Sequence, residues 1–307
     1  MCRSLSETPE MFRALALLCV AVAAVHGGPW EGGLNVRFEL TVFGIGTTAF
    51  INLPLSVAAT GGKGWKQRTR DNLPEGYSKL SIFCHPTDYT VCVFFDDTGY
   101  IAGLQVAINE ADISDSLYDW SVQGFSRWTV DADGKILNLW TTQQYFITPE
   151  TLATDPAIRV SQRNPNLMLQ DHSIVVSGFN GELYRISTNV SDITGPNSDF
   201  TEQACIPWMG EHYYYKMKSS LECKADTLFP WFPLVYSHQL IGLGMVTFGK
   251  HTVRPGTIEW FEKPGRTAVQ VIVPRGPQCL YDLADSPGLI TMHTYYIKHP
   301  YEVTCVF

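Results

Sequence analysis

Long apolar runs and excess charge of either sign are both scarce in this sequence. Beyond residue 27 the most apolar stretch, Leu240–Phe248, is short and bounded by polar residues, so no helical membrane span is expected. Lys and Arg number 22 against 30 Asp and Glu, a formal net charge of −8. That balance argues against nucleic acid or an anionic membrane surface as the main partner. There is no Gly-x-Ser-x-Gly elbow and no His-Glu-x-x-His helix, because Glu211-His212 lacks a second histidine one turn later. No fixed-period repeat is visible, which disfavours a propeller or a solenoid.

What is present begins with an export signal. Arg13 precedes an unbroken apolar run, Ala14–Val25, and small residues then lead to Pro29 and Trp30. A basic flank, a short apolar core and a small-residue exit are the parts of a secretory signal. Twelve helical residues rise only about 18 Å against a hydrocarbon core of about 30 Å, so the run is too short to anchor the chain. Cleavage is expected after Ala24 or Gly27, with Met11 an alternative start. Residues 1–27 balance Arg3 and Arg13 against Glu7 and Glu10, so the remainder carries the whole −8. The expected mature protein is secreted and extracellular, and its length of about 280 residues suits one large domain or two smaller ones.

Export changes the reading of the cysteines. With Cys2 and Cys19 removed, six remain: Cys84, Cys92, Cys205, Cys223, Cys279 and Cys305. In an oxidising compartment an even set reads as three disulfides, with fifteen possible connectivities. Pro86–Asp88 makes a turn between two apolar strands, which brings Cys84 opposite Cys92. Proximity and elimination then give Cys205–Cys223 and Cys279–Cys305. A zinc site at Cys84, His85 and Cys92 lacks the short paired spacing such sites use.

Strand signals dominate the rest. Val36–Phe43 and Thr267–Val273 alternate apolar and polar residues, the period of a half-buried strand. Ser81–Phe95 reads as a hairpin, and Tyr100–Ile108, Ile136–Ile147, Ser173–Ser177, Leu183–Ser187, Leu234–Phe248 and Leu289–Ile297 read as further strands. Asn180-Gly181 marks a type I′ turn, and Thr148-Pro149-Glu150 starts one short helix. Many short strands with few helices predict an all-β fold, a β-sandwich or a jelly-roll-like arrangement stapled by disulfides. A polar loop over 188–202 divides an expected amino-terminal β domain, 28–190, from a disulfide-rich unit, 200–307. The alternative is one domain over 28–307. The same loop carries Asn189-Val190-Ser191, the expected glycosylation site.

Several constellations bear on chemistry. Gly44-Ile-Gly46 after a strand resembles the start of a dinucleotide loop, but Pro54 ends any following helix too early to seat a pyrophosphate. Asn109, Glu110, Asp112 and Asp115 supply oxygen ligands of the kind calcium takes, without the EF-hand order. His238, His251 and Met292 form a conceivable His/His/Met copper set. Met292-His-Thr-Tyr-Tyr-Ile297, running on to Cys305, resembles the last strands of ascorbate-dependent copper monooxygenases over about fifteen residues. The resemblance implies a copper-dependent oxygenase, although that family's paired His-x-His ligands are absent. Asp96 and Asp97 are the first carboxylates to consider for a hydrolase. Aromatic density is highest over Trp208–Tyr215 and Phe229–Phe232, where Trp208, Tyr213, Tyr215 and Trp231 are candidate ligand-binding rings. The leading expectation is a non-enzymatic module that needs no cofactor and binds an extracellular protein or carbohydrate. The alternative is a secreted copper oxygenase or carboxylate hydrolase.

Overall fold

The computed structural model describes residues 30–37, 49–86, 88–115 and 119–305. The expected export signal, the Gly44-Ile-Gly46 motif and most of the strand expected over 36–43 lie outside them. Alternating and continuous apolar runs become strands β1 (Gly32–Arg37), β2 (Phe50–Asn52), β3 (Lys66–Arg68), β4 (Ser81–Cys84), β5 (Val91–Phe95) and β6 (Ile101–Asn109). They continue as β7 (Ile113–Ser114), β8 (Ser126–Ala132), β9 (Lys135–Tyr145), β10 (Ser173–Ser177), β11 (Leu183–Ser187) and β12 (Phe200–Ile206). The last are β13 (Gly210–Tyr215), β14 (Trp231–Tyr236), β15 (Gln239–Phe248), β16 (Lys250–His251) and β17 (Leu289–Ile297).

These strands make a mostly all-β protein with two major sheets. One has seven strands in the order β12-β13-β14-β15-β17-β1-β2. The other has eight, in the order β11-β10-β9-β6-β5-β4-β3 with β8 beside β9, and β7 with β16 forms a separate pair. Every pairing is antiparallel between β1 and β17 and across both sheets. Asn180 and Gly181 adopt φ of 55° and 78° with a Glu182 N–H to Phe179 carbonyl bond of 3.1 Å, the mirror-image turn its sequence favours. Ser237 and His238, at φ of 49° and 58°, turn β14 into β15 in the same left-handed region without any glycine.

The largest apolar cluster draws Leu34 and Val36 from β1, Val93 and Phe95 from β5, Val106 from β6, Val176 from β10, Trp231 from β14 and Met292 from β17. Both major sheets therefore contribute to it, and Glu31–Phe307 forms one compact unit. Because β1 lies beside β17, the amino-terminal strand belongs to the sheet built by the carboxy-terminal half. The sheets consequently do not follow the chain division expected at 190–200. Trp231 Nε1 donates to the Ser177 carbonyl at 2.9 Å, and Tyr296 Oη donates to Gln144 Oε1 at 2.5 Å, so polar links also join the two sheets. A second cluster, with Tyr77, Phe94, Trp128 and Tyr145, packs against other residues of the eight-stranded sheet.

Helices are short: α1 (Trp120–Gln123), α2 (Pro149–Leu152), α3 (Pro156–Gln162), α4 (Val190–Thr194), α5 (Arg266–Ile272) and α6 (Gln278–Asp285). α5 corrects the strand expected over 267–273. A strand would put Val269 and Val271 on one face, whereas a helix separates them by about 200° of rotation. Val269 is 2% exposed and Val271 60%, as the helical period requires. α4 lies within the loop expected over 188–202, and its N-cap Asn189 is exposed, accepting from Ser191 N at 3.3 Å.

The bridges are Cys84–Cys92, Cys205–Cys305 and Cys223–Cys279. Cys84 and Cys92 face each other across β4 and β5. The pairings Cys205–Cys223 and Cys279–Cys305 are corrected, because sequence proximity here does not follow spatial proximity. After β17 the chain returns along the end of β12, where Trp208 N donates to the Val303 carbonyl at 2.8 Å and Cys305 meets Cys205. Cys223 instead ties the segment after β13 to α6. No described helix is long and apolar enough to cross a membrane.

Candidate binding cavity

In β17, Ile290, Met292 and Tyr296 enter the largest core, and strand alternation sends Thr291, His293 and Tyr295 to the opposite face. β1 behaves alike: Leu34 and Val36 enter that core, so Asn35 and Arg37 join the opposite face. Register sets Arg37 beside His293. Glu262 arrives on the segment before α5 and clips to β17, with Glu262 N donating to the Thr291 carbonyl at 2.8 Å and Thr291 N returning at 2.9 Å. Arg37 Nε stands 2.7 Å from Glu262 Oε1, and His293 Nδ1 stands 2.7 Å from Oε2. Both contacts are close but lack hydrogen-bond alignment, so Glu262 Oε1, Arg37 Nε and His293 Nδ1 have no hydrogen-bond partner. Arg37, Glu262 and His293 are 3%, 1% and 3% exposed.

His212 on β13 completes the group. Its Nδ1 faces the carbonyls of Gly210 and Ala204 at 3.1 and 3.2 Å, which assigns the proton to Nδ1. Burial, reinforced by His293, holds its pKa down to about 3, so the ring is neutral near pH 7. The His212 and His293 rings meet edge to face at 5.6 Å, and Phe232 stacks on His212 at 5.6 Å and on Tyr214 at 4.5 Å. Gly244 makes this possible: a Cβ there would come within 1.9 Å of the Phe232 ring.

α5 and α6 lie over this face and leave a narrow cavity of about 30 Å³. Tyr214, Phe232, Glu262 and His293 line one side, and Val269, Val273 and Leu280 line the other. The lining is mostly apolar, with Glu262 and His293 its ionisable acid and imidazole and Tyr214, Tyr215 and Thr291 adding hydroxyls. Among the described residues no serine, threonine or cysteine is hydrogen-bonded to His293, whose nearest charged neighbour is Glu262.

No family model matches the chain, and no curated protein or solved structure matches it. The site must therefore be judged on its own geometry.

The residues picked out in the sequence are placed as follows. Of the four candidate rings only Tyr215 reaches this cavity. Trp231 is 1% exposed and Tyr213 is buried in the core, which corrects their assignment to a ligand surface. Trp208 sits half-buried in a left-handed turn at φ 63°. His238 and His251 flank the two ends of the ten-residue β15, about 33 Å of extended chain, while Met292 packs in the core between them. The three are not brought together. Asn109 caps the turn after β6 by accepting from Ala111 N at 2.9 Å. Glu110 pairs with Arg127, and Asp112 pairs with Arg254 at 2.8 Å, while Asp115 stands at φ 55°. Among the described residues no group of three or more His, Cys, Asp or Glu is arranged to hold a metal. Asp96 and Asp97 both bind the Arg159 guanidinium, which accounts for the two adjacent carboxylates. Arg37, Glu262 and His212 had no sequence signal beyond their polarity within apolar surroundings.

Proposed function

We propose that the chain is an exported binding module whose two sheets close as a β-sandwich and whose cavity beneath α5 and α6 takes a small apolar ligand with one hydrogen-bonding atom. The observation that carries this reading is the buried Glu262–His293 pair at the wall of a mostly apolar cavity. Burying a carboxylate contributes little to stability even beside polar partners, because desolvation offsets the attraction. Such a pair beside a cavity is better explained as an anchor for a bound polar group. The export signal at 1–27, extracellular location and glycosylation at Asn189 belong to the same proposal. So does a non-enzymatic role, in which Asp96 and Asp97 serve as structural partners of Arg159.

The test is an NMR titration with benzyl alcohol and toluene, which differ by one hydroxyl. The native cavity of about 30 Å³ is smaller than either probe, so both are expected to bind saturably to Leu280→Ala, which enlarges it, with benzyl alcohol the tighter. Absence of saturable binding of either probe to Leu280→Ala, or equal binding of the two, would refute the reading.

A further inference from the structure

A second cleft, of about 80 Å³, opens between the turn joining β5 to β6 and the helix α3. Its floor is Ile101, Phe146 and Met168, and its polar rim includes Asp96, Arg159, Arg163 and Asp171. The rim divides into groups whose bonding is committed and one that is open.

Asp96 Oδ1 accepts from Thr98 N at 2.9 Å, Thr98 Oγ1 at 2.5 Å and Tyr100 N at 3.2 Å, while Oδ2 binds Arg159. Arg159 also holds Asp97 and donates from Nε to the Thr154 carbonyl. Asp171 accepts from Thr148 N at 2.8 Å, Thr148 Oγ1 at 2.9 Å and His172 N at 2.7 Å. Both carboxylates are thus saturated. Arg163 is different. Its Nη2 donates to Thr98 Oγ1 at 2.8 Å and its guanidinium lies 4.0 Å over the Tyr100 ring, but no carboxylate pairs with it among the described residues. Stacking on Tyr100 fixes the plane of the fork and leaves further N–H donors for a ligand.

We propose that this cleft binds a small organic carboxylate with an apolar body, held in a charge-assisted pair by Arg163 and seated on Ile101, Phe146 and Met168. A free acid and the carboxy-terminus of a peptide share that chemistry. An inorganic anion would leave the apolar floor unused, and a cation would meet the positive charge of Arg163.

The experiment is an NMR titration with isovalerate, isovaleramide and N-acetylleucine, on the native protein and on Arg163→Gln and Arg163→Lys. At least one acid should bind saturably, isovaleramide about tenfold more weakly or worse, and Arg163→Gln should lose about tenfold or more. Arg163→Lys should fall between, because it keeps the charge and loses the fork. A preference for isovalerate assigns a free acid, and a preference for N-acetylleucine a peptide terminus. No saturable binding of either acid, equal binding of isovaleramide, or unchanged affinity in both Arg163 variants would overturn the proposal. Arg163→Lys keeps the test decisive if Arg163→Gln does not fold.

Discussion

Removing the Cys205–Cys305 bridge should destabilise the protein more than removing either of the others. Cys205 lies on β12, the edge strand of the seven-stranded sheet, and its partner lies after the last strand, a separation of 100 residues. Cys84–Cys92 closes only 8. In the chain-entropy description, cross-linking restricts the unfolded chain by an amount that grows with the logarithm of loop length. The longer loop contributes about 4.7 kcal/mol and the shorter about 2.6 kcal/mol, a difference of about 2 kcal/mol. The Cys223–Cys279 loop, with a separation of 56, falls between. The variants to compare are Cys205→Ala/Cys305→Ala and Cys84→Ala/Cys92→Ala, so that no odd thiol remains. Urea unfolding followed by circular dichroism and tryptophan fluorescence measures the loss, with the slope checked for constancy. An equal or larger loss for the Cys84–Cys92 pair would refute the entropic ranking. Recovery of a Cys205–Cys223 peptide from the unreduced protein would refute the connectivity itself.

Two further outcomes are expected. Burial lowers the His251 pKa to about 4, so the unfolded chain takes up a proton near pH 6.5 that the folded chain refuses until about pH 4. Stability is therefore lost as pH falls through that window, by up to about 1.4 kcal/mol per pH unit from this group. His251→Gln should reduce the slope of the unfolding free energy between pH 6.5 and 4 without abolishing it, because His212 contributes in the same direction, and equal slopes in the two proteins would exclude this origin. Arg159→Met should cost about 3–5 kcal/mol in chemical denaturation, because it strands the Asp96 carboxylate, 5% exposed, without its cation. Adding Asp96→Asn to that variant should recover part of the loss; a single variant as stable as the native protein would count against the pair.

Local pattern carried most of the fold and little of the site, and particular residues show why. Ser173–Ser177 and Leu183–Ser187 become strands at the expected bounds because the turn between them is encoded by adjacent residues, Asn180 and Gly181. The alternation at Val269, Val271 and Val273 is equally local, yet packing decided against it: a helix buries Val269 and Val273 together and releases Val271 to solvent. The cysteines mark the next limit, since Cys205 is reached from Cys305 only after β17 has paired with β1 and sent the chain back past β12. The cavity lies beyond it. Arg37, His212, Glu262 and His293 come from four separate segments, and each alone reads as an ordinary polar residue. Pairing of β1 with β17 and the clip of Glu262 onto Thr291 bring three of them together in the buried space under α5 and α6. Sequence periodicity reports which face of one strand is apolar; it is silent about a sheet whose second face is also covered. That covering is what turns four scattered polar residues into one buried group, and under the proposed binding role it makes α5 and α6 the elements a ligand would have to pass to reach Glu262 and His293.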